Sequence, residues 1–159
     1  MSGIRSAYDF GRNEFAVTGH VPYFRKVEID FDDLDTNLVY NIPVDAGTIV
    51  LGVGVIVTKA FDGNLPILLV GRSGDTDGFL ASGDVALATL NSFYYSGGGD
   101  NDDAEGHYSA DADYIVVDVD YTTTAPTYGT IVVLIHELKI ADNWRSLGDI
   151  GQGDIASME

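Results

Sequence analysis

Along most of this chain, apolar residues recur at every second position, the period of a β-strand with one face on a core. From Tyr23 onward, Tyr23, Arg25, Val27, Ile29 and Phe31 alternate with Phe24, Lys26, Glu28, Asp30 and Asp32. That pattern predicts a half-buried strand with a charged outer face. Residues 38–42 read as a short strand, closed by Pro43 and an Asp45-Ala46-Gly47 turn. The longest run follows, with Ile49, Leu51, Val53, Val55 and Val57 on one side. Its other side carries Thr48, Val50, Gly52, Gly54, Ile56 and Thr58, small or β-branched residues that also suit packing. Asp62-Gly63-Asn64 supplies turn chemistry, because Gly and Asn tolerate positive φ. Residues 65–70 resume the strand, with Pro66 fitted to an edge or a strand start.

The second half is more broken. Residues 71–78 are a loop by composition, and residues 85–88 a short strand, with a single helical turn as the competing form. Phe93-Tyr94-Tyr95 leads into a long Gly- and Asp-rich loop over residues 96–113. Residues 114–121 show the clearest alternation, Ile115, Val117, Val119 and Tyr121 against Asp118 and Asp120. Residues 130–140 are apolar on both faces until Glu137, which predicts a central or covered strand. With eight residues between them, these last two runs are candidates for one antiparallel pair. No amphipathic helix longer than about two turns is evident. The expected fold is all-β, an antiparallel β-sandwich of jelly-roll type with an extended N-terminal arm. The arm is residues 1–19, the sandwich 20–141 and the C-terminal tail 142–159, anchored by Trp144.

A chain of 159 residues suits one domain and buries a core without staples, and it has no cysteine. The first fifteen residues lack the apolar centre of a signal peptide, and no stretch approaches the roughly 20 apolar residues of a membrane helix. A soluble protein with no membrane partner is expected. Charge sharpens the picture. Twenty-five acids face eight basic residues, a net charge of −17. Nucleic acid, whose phosphates demand a basic face, is not the expected partner. Up to Lys26, however, Arg5, Arg12, Arg25 and Lys26 outnumber Asp9 and Glu14. A mildly basic arm docking on a neighbour, with the acidic body facing solvent, follows from that asymmetry. Arg5, Tyr8, Phe10, Arg12 and Phe15 are the residues expected at such an interface.

Candidate chemistry is sparse. Counted from Ser73, Asp75, Asp77 and Asp84 fall at positions three, five and twelve of a calcium-loop spacing, with Gly78 at six. Position one is Ser, position twelve is not Glu and no helix flanks the run, so turn chemistry accounts for it and no metal or cofactor is expected. The acids between Asp100 and Glu105 lack ordered spacing. His20, His107 and His136 lie far apart, and His136, in the apolar last strand, reads as a hydrogen-bonded core or interface histidine. Asp118 and Asp120 would suit glycoside hydrolysis only if they shared a cleft; on an alternating strand they are a solvent face. No catalytic residue is assigned, and no enzyme is expected. Tyr94, Tyr95 and Tyr108 flank or enter the Gly-rich loop, where tyrosines stack on sugars or anchor interfaces.

One resemblance adds to this. The alternating valines running into Thr-Lys-Ala-Phe-Asp-Gly-Asn at residues 58–64, the stretch at 68–80 and Ser-Gly-Asp-Val-Ala-Leu at 82–87 resemble auxiliary capsid proteins of tailed bacteriophages. These are head decoration (cement) or head-fibre proteins. The resemblance covers about the central third of the chain and implies a β-sandwich on the outer surface of the virion. Its implied partners are the major capsid protein and further copies of itself, as a homo-oligomer, by preference a trimer. It implies stabilisation of the assembled head across capsomer boundaries, with a glycan-binding head-fibre or tail module as the alternative.

Overall fold

The computed structural model describes residues 21–97, 101, 103 and 105–140. Among them nine strands form two antiparallel sheets and there is no α-helix. The strands are β1 (Tyr23–Asp30), β2 (Val39–Val44), β3 (Thr48–Lys59), β4 (Ile67–Arg72), β5 (Asp75–Leu80), β6 (Phe93–Tyr95), β7 (His107–Ser109), β8 (Asp113–Asp120) and β9 (Thr130–Lys139). One sheet has the order β1-β9-β3-β6, with β7 also paired to β3; the other has the order β2-β8-β4-β5. The first strand thus pairs with the last, the second with the last but one, and the chain crosses between sheets at each step except from β4 to β5 and from β6 to β7. That order is a jelly roll, as the sequence pattern predicts.

The apolar faces of the two sheets meet in one core. Ile29, Val53, Val55, Val57, Ile131, Val133 and Ile135 come from one sheet. Ile42, Leu68, Val70, Phe79, Ile115 and Val117 come from the other. Each such side chain contributes roughly 1.5–3 kcal/mol when removed from water. As expected from its apolar character, β9 is interior to its sheet, between β1 and β3.

Several expectations are corrected. The runs containing β8 and β9 do not pair with each other. β8 lies between β2 and β4, and β9 lies in the opposite sheet. Their apolar rows face across the core, and residues 121–129 carry the chain from one layer to the other. That crossing is held at Asp62, whose carboxylate accepts from the Thr127 and Tyr128 amides and the Thr127 hydroxyl. The loop expected at 71–78 is a hairpin, with Arg72 opposite Asp75 across a Ser73-Gly74 turn. Gly74 has φ 87°, and a turn that short needs such a residue. The strand considered at 85–88 is two successive turns, closed by the Asp84 amide on the Ala81 carbonyl and the Thr89 amide on the Ala86 carbonyl. Val85 and Leu87 still reach the core. Phe93–Tyr95 form β6, and within the loop expected at 96–113 residues His107–Ser109 form β7; both lie on one edge of β3. The strand expected from residue 65 begins at Ile67, because Leu65 sits in the left-handed region at φ 48°.

β3 shows why alternation misleads locally. Its register against β9 shifts between Val50 and Gly52, a β-bulge. Thr48 and Val50 point inward before the bulge, and Val53, Val55 and Val57 after it. Ile49 and Leu51, expected on the same face as Val53, are half-exposed instead. A single extra residue re-aims everything beyond it.

Candidate docking face

The bulge sets up the most unusual surface of the domain, the outer face of the β1-β9-β3-β6 sheet. Beyond it, Gly52 and Gly54 point outward on β3, and neither offers a side chain. Tyr95 on β6 fills that space. A Cβ on Gly52 would lie 2.6 Å from the Tyr95 hydroxyl and 2.8 Å from Cζ, and one on Gly54 3.4 Å from Cδ2. The tyrosine ring therefore lies flat over a glycine floor, a known way to cover strand glycines. Its hydroxyl is 3.0 Å from Nδ1 of His136 on β9. The His136 ring stacks on Phe24 of β1, centroids 4.4 Å apart and planes 12° apart. Phe24 lies 6.5 Å from Tyr95. A row of rings, Phe24, His136 and Tyr95, thus crosses the sheet.

Much of this face is open. Phe24 is 58% exposed, Phe93 57% and Tyr108 50%. Ile56, Leu134 and Leu138 beside them are half-buried. Burial raises the pKa of Tyr95, so its hydroxyl keeps its proton as a hydrogen-bonding group. Tyr94, the residue between Phe93 and Tyr95, turns the other way and packs against the core. Of the three tyrosines singled out in the sequence, Tyr95 and Tyr108 share the outer face and Tyr94 does not. His136 is hydrogen-bonded as expected, on this outer face and not in the core.

The opposite outer face has a different character. Asp118 stands on β8 across from Val39 and Leu69, with Asp120 two residues on. Burial, then Asp120 and Asp35, raise the Asp118 pKa. No lysine or arginine occupies β2 or β8.

The three aspartates with calcium-loop spacing are not gathered by the fold. Asp75 and Asp77 lie on β5 rather than in a loop, and Gly78 is a strand residue. Gly78 is glycine because the carboxylates of Asp103 and Asp75 occupy the space of its Cβ. Asp103 is paired with Arg72, Oδ2 to Nε at 2.9 Å, and His107 Nδ1 is 3.8 Å from its Oδ1. Burial first, then Asp103, raise the pKa of Asp75. Asp84 is engaged elsewhere, accepting from the Ala81 amide and from Asn101. Among the described residues no group of three His, Cys, Asp or Glu side chains is placed to hold a metal ion. Nor, among them, is any helix long and apolar enough to cross a membrane.

A second charged site lies between the sheets. Arg25 contacts Glu137 through Nε at 3.1 Å and through a terminal nitrogen at 3.2 Å. Glu137 is almost fully buried, and Tyr23, whose pKa burial raises, hydrogen-bonds to it. Pro43, Asp45 and Thr48 complete a cavity of about 220 Å³. The interface residues expected in the arm, Arg5, Tyr8, Phe10, Arg12 and Phe15, lie outside the described residues, as do His20 and Trp144.

The sequence signal for the docking face is present but indirect. Two glycines at alternate positions of a strand, with an aromatic triplet forty residues on, are what a ring laid over a glycine floor requires.

No protein-family model matches the chain, and no curated protein matches it. Solved structures resemble it in fold. One is a chain of the cyanophage Pam1 capsid asymmetric unit, with a TM-score of 0.57 and 17% identity, covering 75% of this chain and 85% of that one. Another is a chain of the acidic stable capsid structure of the Helicobacter pylori bacteriophage KHP30, with a TM-score of 0.49 and 20% identity, covering 76% and 94%. At such identities the likeness is one of fold, and only the first is close enough to carry weight. The chain is a jelly-roll domain of a kind that a phage capsid also contains.

Proposed function

We propose that the chain is a non-enzymatic structural protein of a bacteriophage head, decorating the outside of the assembled shell as a cement protein. The carrying observation is the jelly roll held in common with a chain of the Pam1 capsid, over most of both chains. Net charge and surface are consistent with it. An acidic body suits the solvent side of a particle and repels nucleic acid. The partner is the major capsid protein, and copies of the chain act together as a homo-oligomer, by preference a trimer on the symmetry axes of the shell. The N-terminal arm, with Arg5, Tyr8, Phe10, Arg12 and Phe15, supplies the contact with the shell or a neighbouring subunit.

Stabilisation then needs no chemistry. A ligand that binds the assembled shell across capsomer boundaries, and not the separated subunits, shifts assembly by mass action. The test is re-addition of purified full-length chain to shells lacking it. Co-sedimentation and a higher disruption temperature are expected, and a chain without residues 1–19 should fold but not bind. Shells that neither bind nor gain heat resistance would contradict the cement role. A head-fibre or tail module binding host glycans is the competing function. The exposure of Tyr108, Phe24 and Phe93 on one sheet face is the observation in its favour.

A further inference from the structure

A chain with a net charge of −17 repels its own copies unless they meet where acids are sparse. Of the two outer sheet faces, the β2-β8-β4-β5 one carries Asp118 and Asp120 and offers like charge to a like copy. The β1-β9-β3-β6 face is different. Its middle is aromatic and aliphatic, and its charged residues on β1 are Lys26, Glu28 and Asp30, of both signs, with Asp30 accepting from the Thr130 hydroxyl. Lys26 and Glu28 stand two residues apart there, exposed, neither with a partner among the described residues. The other four described cations are engaged. Arg25 pairs with Glu137, Arg72 with Asp103 and Lys139 with Asp45, and Lys59 lies over the Tyr128 ring.

We propose that copies of this chain join through this face, turned toward their shared symmetry axis, meeting along its β1 edge with Phe24 in the contact and Lys26 of one copy opposite Glu28 of the next. This deepens the self-association part of the cement role and rests on it. The area is of the right order. An aromatic side chain buries 150–250 Å² when covered, so Phe24 and Phe93, joined through the Tyr95 ring, leave roughly 200 Å² open, with Tyr108 adding roughly 100 Å² further along β3. Together that is about a third of what one partner contributes to a standard interface. Ile56, Leu134 and Leu138 extend it. The glycine floor and the Tyr95-His136 bond make the surface flat and fixed, so little order is lost on contact. The charge pair is self-complementary, since every copy brings both members.

The experiment is light scattering and sedimentation equilibrium on the full chain, with four variants: Phe24→Asp, Lys26→Glu, Glu28→Lys, and the double swap Lys26→Glu/Glu28→Lys. All three positions are exposed, so each variant should keep a cooperative melting transition, with Phe24→Asp somewhat less stable for loss of the His136 stack. The full chain is expected to self-associate. Phe24→Asp and each single charge reversal should weaken association about tenfold or more, and the double swap should restore it. A wild-type chain that stays monomeric would overturn the proposal. So would an oligomer indifferent to Phe24→Asp, or single reversals that the swap does not rescue. These results leave shell binding untouched, and failure of shell binding leaves them untouched.

Discussion

Leu65 and Leu68 are three residues apart and pull on the fold in opposite directions. Leu68 is buried in the core, and Leu68→Ala should cost roughly 2–5 kcal/mol, through lost transfer energy and the cavity left behind. Leu65 is 69% exposed and held at φ 48°, a conformation that costs an L-residue about 1–2 kcal/mol. Leu65→Gly should therefore stabilise, by about 0.5–1 kcal/mol after glycine's extra chain entropy. Chemical denaturation of the two variants checks both signs. Gly52 is the third sensitive residue. Gly52→Val places atoms where the Tyr95 ring lies and should cost about 1–3 kcal/mol, with loss of the Tyr95-His136 hydrogen bond visible by NMR. Asp118 governs part of the pH response. Its pKa is raised in the folded chain, so the folded state takes up a proton there before the unfolded state does. Stability rises as pH falls from that raised value to the ordinary aspartate range. Asp45 and Asp62 have lowered pKa values, from Lys139 and from Thr127 respectively, and their contribution is lost at still lower pH. Asp118→Asn should melt about 1–2 °C higher at neutral pH and lose part of the gain on mild acidification.

At the scale of elements, strands with an uninterrupted alternation are legible in the sequence. β1, β8 and β9 fall within a residue or two of their expected bounds, because β1 and β8 set charged residues against an apolar row and β9 opens on an unbroken run of β-branched and aliphatic residues. β3 is legible in length but not in facing, since nothing in a run of Val, Ile and Leu marks the bulge at residues 50–52. The β4-β5 hairpin hides behind composition. Gly71, Ser73, Gly74, Asp75 and Asp77 look like a loop, yet only Ser73 and Gly74 form the turn. Gly71 and Gly78 are strand residues that let neighbouring chain or carboxylates approach closely. Pairing is the least legible level. β8 and β9 are neighbours in sequence, and only burial of both apolar rows against each other places them in opposite layers. The docking face was missed for the same reason. It combines Phe24, Gly52, Phe93 and His136 from four strands whose adjacency no local pattern encodes.

For the whole molecule, the consequence is a two-faced sandwich. One face is aromatic, flat and of mixed charge, and the other carries Asp118 and Asp120. The central claim, a capsid-wide structural role, is tested most directly by counting. Quantitative mass spectrometry of purified virions should give this chain in hundreds of copies, in a simple ratio to the major capsid protein. A dozen copies or fewer would place it at a vertex, fibre or tail and favour glycan binding. Its absence from the particle would contradict the account.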